Sequence, residues 1–232
     1  NYVVKLDKKG YGSADLQLKA WSSTTKKGCL ADALGAMFIG GAIAYKFMEG
    51  KSLNIIADNS PERLVREYSP RTGPTDPKVV LVEFLDPECE SCRAFSPFVK
   101  DILNKYKDEV QLVVRYATYH RNSAFAVKIL EASREQGKFW EVLDLLFKYQ
   151  PNWGNHRNPK PELIWYYLPE AGVDVEKVRA KFNDPEYDKR VEQDMKDAEF
   201  LQIRGTPSFF INGKPLNEFG KQKVLKAIQN EL

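Results

Sequence analysis

The sequence predicts an α/β fold in which a helical segment interrupts the order of the strands. Two short apolar runs, Val79–Leu85 and Val110–Tyr116, are typical of buried strands. A helical pattern with one apolar face separates them. A long series of helical segments then precedes a late strand at Ser208–Ile211. The order β-α-β, helices, β, turn, α is typical of an α/β sheet that carries a helical insertion.

Length and charge limit the classes of protein to consider. At 232 residues the chain is long enough for one large domain, or for one domain with an extension. Its 35 Lys and Arg residues nearly balance its 32 Asp and Glu residues, which leaves a net charge of +3. Nucleic-acid-binding proteins usually concentrate positive charge on one face, so no nucleic-acid partner is expected.

The first 48 residues predict an N-terminal extension that contains a hydrophobic helix. Residues 1–28 are polar, with a weak alternation that allows a hairpin around Lys8–Ser13. The run Leu30–Tyr45 carries one charge, Asp32, and is short for a bilayer span of about 20 residues. It fits the core of a membrane anchor, the apolar region of a signal peptide, or a buried or dimer-forming helix. Lysines before the run favour an orientation that sends later residues across a membrane.

The remainder is predicted as a linker at 49–78 and a domain at 79–232, with the helical insertion at about 120–200. A helix at Ser91–Tyr106 is expected between the first two strands of this domain. Asn212-Gly213, after the late strand, is typical of a hairpin turn. The other predicted helices are Ser123–Gln136, Phe139–Tyr149, Pro161–Ala171, Val175–Phe182, Pro185–Phe200 and Phe219–Leu232.

Two of the three cysteines, Cys89 and Cys92, lie between a predicted strand and a predicted helix. A sulfur at a helix N-terminus faces unpaired N–H groups and the positive end of the helix dipole, so the Cys89 thiolate is favoured. Cys92 lies about one turn into the helix, where it can form a disulfide with Cys89. Redox exchange is therefore the leading interpretation, with Cys89 attacking and Cys92 resolving. Two buried structural cysteines, or half of a metal site, are the alternatives.

The remaining cysteine and the histidines add little at this point. With no second CxxC and only His120 and His156 as histidines, no metal site is expected. We expect His120 to be a surface or capping residue, with a role in tuning the redox centre as the alternative, because it follows the second strand, where a loop facing the site could lie. We expect His156 to be solvated in a polar loop. Cys29, just before the apolar run, is expected to be an unreactive thiol, with acylation or pairing to another chain as the alternatives.

Three further features favour redox chemistry. Glu83 lies within an otherwise apolar strand, where it points either beneath the cysteines or away from them. If it is buried, its pKa rises and it can exchange a proton with Cys92 through water. Pro97 lies inside the predicted helix, which it should kink. Pro207 opens the late strand, and a cis bond there would leave the Thr206 backbone free to pair with an extended substrate.

Together these residues resemble the thioredoxin superfamily. More residues separate Cys92 from Pro207 than in thioredoxin itself, and that helical interval resembles the DsbA family, over roughly Val79–Leu232. The resemblance implies a thioredoxin fold with a helical insertion domain. It also implies a nucleophilic role for Cys89, a resolving role for Cys92, a buried-acid role for Glu83 and a cis-proline role for Pro207. We expect these four to be the catalytic residues.

The residues between the cysteines depart from the family. Glu90 and Ser91 replace the Pro-His that is typical of DsbA, and with Thr206 they are the expected substrate-binding residues. A carboxylate beside Cys89 opposes its thiolate. The sequence therefore predicts a higher Cys89 pKa and a less oxidising potential than in DsbA itself. A midpoint several units below the free-thiol value of about 8.5 would contradict this.

The function expected from the sequence is that of an enzyme exchanging disulfides with protein substrates, as an oxidase or an isomerase. No bound cofactor is required, but a redox partner must reset the cysteines. We expect a periplasmic or otherwise extracytoplasmic location, with membrane anchoring or a homodimer through the N-terminal segment as possibilities. The alternative is a thiol module without turnover, which binds copper or serves as an assembly subunit of a membrane complex.

Overall fold

Two compact units divide the chain, Asn1–Asp58 and Asn59–Leu232. The computed structural model describes residues 2–8, 11–18, 36–39, 42–45 and 61–232. Among these residues no helix combines the length and the apolar character that are needed to cross a bilayer. Cys29 lies outside the described residues.

The N-terminal unit contains two antiparallel hairpins. Strands β1 (Tyr2–Lys8) and β2 (Tyr11–Leu18) pair where the sequence allows a hairpin. Strands β3 (Ala36–Ile39) and β4 (Ala42–Tyr45) form the second hairpin.

The second hairpin occupies part of the run in which the sequence predicts a hydrophobic helix. The described part of the run Leu30–Tyr45 forms strands, so a continuous helix through the run is not confirmed. The sequence offers a physical reason, because Gly40-Gly41 between two apolar runs is typical of a two-residue hairpin turn.

The C-terminal unit is a mixed five-stranded sheet with helices on it, in the order β5-β7-β6-β8-β9. Strands β6 and β7 are parallel, and the other pairs are antiparallel. In chain order its elements are α1 (Pro61–Leu64), β5 (Arg71–Thr72), β6 (Val79–Leu85), α2 (Glu90–Lys105), β7 (Val110–Tyr116), α3 (Ser123–Arg134), α4 (Phe139–Trp153), α5 (Leu163–Tyr167), a 3₁₀ helix (Leu168–Ala171), α6 (Val175–Lys181), α7 (Pro185–Phe200), β8 (Ser208–Ile211), β9 (Lys214–Pro215) and α8 (Lys221–Gln229).

This unit has the predicted thioredoxin-type α/β fold with a helical insertion, which runs from α3 to α7. It begins earlier in the chain than residue 79. Strand β5 pairs with β7, and Leu64 of α1 is buried, so part of the stretch predicted as a linker belongs to the sheet and its core. The rest of that stretch, residues 49–60, lies outside the described residues.

Alternation along β6 divides its side chains between two hydrophobic clusters. Leu81 and Leu85 belong to the cluster that contains Cys89, Cys92 and the helical insertion. Val82 and Phe84 belong to the other cluster, which also contains Leu64 of α1. Because side chains alternate along a strand, Glu83 shares the face of Leu81 and Leu85 and points towards the cysteines.

A buried ion-pair cluster joins α7 to the other face of the sheet. The Arg115 guanidinium, on β7, lies 2.7 Å from Asp194 and 2.7 Å from Asp197 of α7. Arg66 adds a 2.6 Å contact to Asp197, and the Tyr68 hydroxyl donates to Asp194 at 2.5 Å. The two acids are therefore matched by cations and hydroxyl donors, as buried charges require.

Candidate active site

Cys89 occupies the N-cap position of α2, as the sequence predicts. Its backbone is extended (φ −78°, ψ 122°), and its carbonyl accepts the Arg93 N–H at 3.1 Å. Cys92 lies in the first turn and is fully buried, whereas Cys89 is 7% exposed. Both are free thiols. Pro97 lies within the same helix, which continues past it to Lys105.

The two thiols are held in opposite protonation states. The pKa of Cys89 is lowered to about 5. The largest cause is the hydrogen bond from the Cys92 side chain, and hydrogen bonds from the Thr206 side chain and the N–H groups of Cys92 and Ser91 lower the pKa further, whereas burial opposes them. Burial raises the pKa of Cys92 far above its usual range, and the Cys89 sulfur raises it further. At neutral pH the pair is a thiolate on Cys89 and a thiol on Cys92.

Glu83 is buried, and of the two directions that the sequence leaves open it takes the one towards the cysteines. Burial raises the pKa of Glu83 to about 8, so its carboxyl group is mostly protonated at neutral pH. The Glu83 backbone pairs with β7 and β8, but the carboxyl group makes no hydrogen bond to any residue of 61–232. When Glu83 ionises, its charge raises the pKa of Cys92. The carboxyl group and the Cys92 thiol are therefore coupled acids.

The loop before β8 faces Cys89. The Thr206–Pro207 peptide bond is cis. The Cys89 sulfur lies 3.3 Å from the Thr206 carbonyl oxygen, which accepts a hydrogen bond from Cys89 only when Cys89 is protonated. Pro207 is buried, and Thr206 is half-buried. The fold thus brings Cys89, Cys92, Glu83 and the Thr206–Pro207 loop together, although they span most of the unit.

Asp86 is a central residue of the site that the sequence analysis missed. Its fully buried carboxylate accepts hydrogen bonds from the Glu88 N–H (2.8 Å), the Tyr119 N–H (2.9 Å) and the Ser123 hydroxyl, and it contacts His120 Nδ1 at 2.8 Å. Asp86 ends β6 and His120 follows β7. The carboxyl ends of parallel strands meet at one edge of a sheet. This rule could have predicted the contact between Asp86 and His120 from the sequence.

Gln150 and Glu88 hold the backbone of the cysteine loop. The Gln150 amide donates to the carbonyls of Pro87 (2.8 Å) and Cys89 (3.0 Å). The buried Glu88 carboxylate accepts the backbone and side-chain N–H groups of Asn122, at 2.6 and 2.8 Å. Neither set of hydrogen bonds could be predicted from nearby residues in the sequence, since both join the cysteine loop to residues that lie much later in the chain.

The structure moves both histidines into the site, contrary to expectation. Burial lowers the pKa of His120, but the hydrogen bond and charge of Asp86, with the charge of Cys89, raise it overall. His156 Nε2 lies 3.0 Å from a Glu90 carboxylate oxygen. The two imidazole rings are edge to face with their centres 5.1 Å apart. Ser91 is exposed.

The position of Glu90 also corrects the expected pKa of Cys89. A value of about 5 lies several units below the free-thiol range, so Glu90 does not keep the thiol near its ordinary pKa. The physical reason is that the Glu90 side chain is 58% exposed and turned to His156, while hydrogen bonds converge on the Cys89 sulfur.

Comparison with known proteins places this geometry among thioredoxin folds. A family model described as Thioredoxin matches residues 66–230. A thioredoxin-like oxidoreductase from Silicibacter pomeroyi DSS-3 aligns with a TM-score of 0.63 at 24% identity, covering 74% of this chain and 96% of its own. The thiol-disulfide exchange protein alpha-DsbA2 from Wolbachia pipientis aligns with a TM-score of 0.62 at 18% identity, covering 73% and 90%.

A curated relative carries a different name. A protein from Herminiimonas arsenicoxydans named Na(+)/H(+) antiporter NhaA is 34% identical over 156 residues, which is 67% of this chain and 24% of the relative. The chain thus spans about a quarter of the length of the curated relatives that it matches.

Proposed function

Since this chain belongs to the thioredoxin family, we propose that it is a protein thiol–disulfide oxidoreductase with Cys89 as its attacking sulfur. The observation that carries the proposal is that the pKa values of the two thiols are shifted in opposite directions. Cys89 has a lowered pKa at a helix N-terminus, and Cys92 has a raised pKa in the core. Only a thiolate attacks a disulfide or leaves readily from one.

The proposed cycle begins with a disulfide between Cys89 and Cys92. A substrate thiolate attacks the Cys89 sulfur, the Cys89–Cys92 bond breaks, and Cys92 leaves and takes up a proton. A second substrate thiolate attacks the substrate sulfur of the mixed disulfide and releases the Cys89 thiolate. Two electrons pass from the substrate to the protein. The substrate gains one disulfide and the protein becomes the dithiol.

Glu83, Thr206 and Pro207 have supporting roles in this proposal. Glu83, protonated at neutral pH because of burial, supplies the proton for Cys92 through water and takes it back when the disulfide reforms. The loop at Thr206 and Pro207 lies against the Cys89 sulfur, so a substrate chain bound to Cys89 would run along it. Glu90 and Ser91, exposed beside Cys89, would contact that chain.

The direction that we favour is donation of disulfides to substrates, with isomerisation as the alternative. A stabilised Cys89 thiolate lowers the free energy of the dithiol form, which makes the disulfide form the stronger oxidant. Donation requires an oxidising compartment and a redox partner that restores the disulfide. We therefore propose an extracytoplasmic location. We also propose that residues 1–48 attach the protein to a membrane or form a homodimer.

The test is oxidation of a reduced, unfolded protein substrate by the disulfide form of the full chain. Substrate disulfides should appear with the wild-type chain and should not appear with Cys89→Ser. Cys92→Ser cannot form the Cys89–Cys92 disulfide, so it is mixed instead with a substrate that already carries a disulfide. Its Cys89 thiolate should break that disulfide, release one substrate thiolate and remain in a mixed disulfide with the other substrate sulfur, because Cys92 is not there to release it. Cys29→Ser is the matched control, because it removes a cysteine outside the motif and should leave the exchange unchanged. Equal activity of wild type and Cys89→Ser would overturn the proposal.

A second candidate is a thiol module without turnover that belongs to a membrane complex. The observation that favours it is the 34% identity to part of a protein named as an antiporter. Such a module could bind Cu(I) through Cys89 and Cys92, since soft thiolate ligands suit that ion. Copper binding by the dithiol chain, without any exchange in the substrate assay, would select this candidate over the first.

A further inference from the structure

Three side chains with metal-binding atoms converge beside Cys89. They are Glu90 at the start of α2, His120 after β7 and His156 in the loop after α4. One donor atom from each lies within 4.8 Å of the other two. Their separation along the chain explains why spacing in the sequence gave no sign of a metal site.

The separations are close to those that a zinc ion needs. In a tetrahedral site, ligand atoms about 2.1 Å from the ion are about 3.4 Å apart. The Glu90 oxygen and His156 Nε2 are already 3.0 Å apart, and the two imidazole centres are 5.1 Å apart. Because no two of the three donor atoms are more than 4.8 Å apart, side-chain rotations that shorten the longest separation by about 1.4 Å would place all three around one ion.

Asp86 prepares His120 for such a role. The Asp86 carboxylate contacts His120 Nδ1 at 2.8 Å and is itself fully buried and held by the Ser123 hydroxyl and the Tyr119 N–H. A carboxylate on one ring nitrogen fixes the tautomer and leaves the other nitrogen, Nε2, free as a metal ligand. The contact between Asp86 and His120 is present without an ion.

The exposure of the three side chains suits an ion that enters from solvent. His120 is 26% exposed, His156 is 48% exposed and Glu90 is 58% exposed. The cluster is therefore anchored on its inner side, through Asp86, and open on its outer side. Two imidazoles and one carboxylate with an open position are a donor set that suits zinc.

We propose that Glu90, His120 and His156 form a binding site for a divalent zinc ion at the mouth of the dithiol. Glu90 directly follows Cys89 in the chain, so the ion would lie near the cysteine loop.

The experiment uses the full chain with Cys29→Ser, stripped of metal and held in the Cys89–Cys92 disulfide form. No thiolate is then available, so binding reports the other ligands. Zinc titration by calorimetry should give one ion per chain. Cobalt(II) in its place should show the visible absorption of a four-coordinate ion without a charge-transfer band from sulfur.

Two variants and a control test the ligands. His156→Ala and Glu90→Gln should each weaken zinc binding by more than about 10-fold. Glu192→Gln, which removes an exposed carboxylate paired with Lys196, should leave the affinity unchanged. Absence of binding, or the same affinity in all three variants, would overturn the proposal. Exchange by the metal-free chain is measured separately, so failure of the site and failure of the proposed function are distinguishable.

Discussion

Two buried polar regions lie on opposite faces of the same two central strands, and they differ in how their charges are matched. On one face, Arg115 lies between Asp194 and Asp197, and Arg66 adds a second cation. On the other face, the carboxyl group of Glu83 is buried without a hydrogen bond to any residue of 61–232, and hydrogen bonds lower the pKa of the buried Cys89 thiol. Paired charges stabilise the fold, whereas the shifted pKa values of Glu83 and Cys89 leave both groups able to exchange protons. We therefore expect the first region to stabilise the fold and the second region to carry the chemistry.

The largest expected effect is the complete loss of exchange in Cys89→Ser. The hydroxyl of serine is not ionised near neutral pH, so no sulfur attacks or leaves. Disulfide formation in a reduced substrate, followed with time, should fall to the level of buffer alone. Because Ser is close to Cys in size, the unfolding midpoint of the variant should stay within a few degrees of the wild type at pH 5. Measurable exchange by Cys89→Ser would contradict the assignment of the chemistry to the region that contains Cys89.

The next effect is a loss of stability in Arg115→Met. It leaves Asp194 and Asp197 buried with too little positive charge, at an expected cost of about 3–5 kcal/mol in the free energy of unfolding. Urea unfolding of the disulfide form measures it. Lys148→Met is the matched control, since its partner Glu170 is exposed and solvent screens such a surface pair, so little change in stability is expected. The pKa of Cys89 should not change in Arg115→Met; a clear shift would show that the two regions are not separate.

Glu83→Gln should change how the stability of the dithiol form depends on pH. Between about pH 5 and 8, Glu83 keeps its proton in the folded state and loses it in the unfolded state, so it makes stability fall as pH rises. Removing it should make the stability difference, variant minus wild type, rise by about 1.4 kcal/mol per pH unit. Cys89 has the opposite sign, because its folded pKa is lowered to about 5.

Urea unfolding at several pH values, under reducing conditions, measures both slopes. Cys89→Ser is the control, and its stability difference from wild type should fall as pH rises over the same interval. Parallel curves for Glu83→Gln and wild type would mean that the Glu83 carboxyl group ionises normally in the folded protein, and that the second region holds no unmatched acid.

A smaller effect is expected from Gln150→Met. The substitution leaves the carbonyls of Pro87 and Cys89 without their donor, at an expected cost of about 1–3 kcal/mol. Gln136→Met is the matched control. Its hydrogen bonds to Asp174 are exposed, so a change within about 0.5 kcal/mol is expected. Equal stability of the two variants in thermal unfolding would show that Gln150 does not hold the cysteine loop.

Most of the C-terminal fold could be predicted because its signals are local. Val79–Leu85, Val110–Tyr116 and Ser208–Ile211 are strands with the predicted bounds, and the thioredoxin fold that the resemblance implies is confirmed. The helix predicted at Pro161–Ala171 divides into a helix and a 3₁₀ turn. Pro169 gives the reason, since proline cannot donate the backbone hydrogen bond that a continuous helix needs there.

The site was only partly predictable. The CxxC motif, Glu83 and the loop before Ser208 carry signals in their own segments. Alternation along β6 left two directions open for Glu83, and only pairing within the sheet selects the buried one. Asp86 and His120 escaped prediction because their contact depends on two strand ends that meet in space. The hydrophobic helix predicted within Leu30–Tyr45 is not confirmed, since the described residues of that run form strands.

The most direct test of the account is the pH dependence of alkylation of the dithiol form in a Cys29→Ser background, with the modified cysteine identified by mass spectrometry. The account predicts that Cys89 alone is alkylated, with a midpoint at about pH 5, and that Cys92 stays unmodified up to alkaline pH. A midpoint near the free-thiol value of about 8.5, or modification of Cys92 before Cys89, would contradict it.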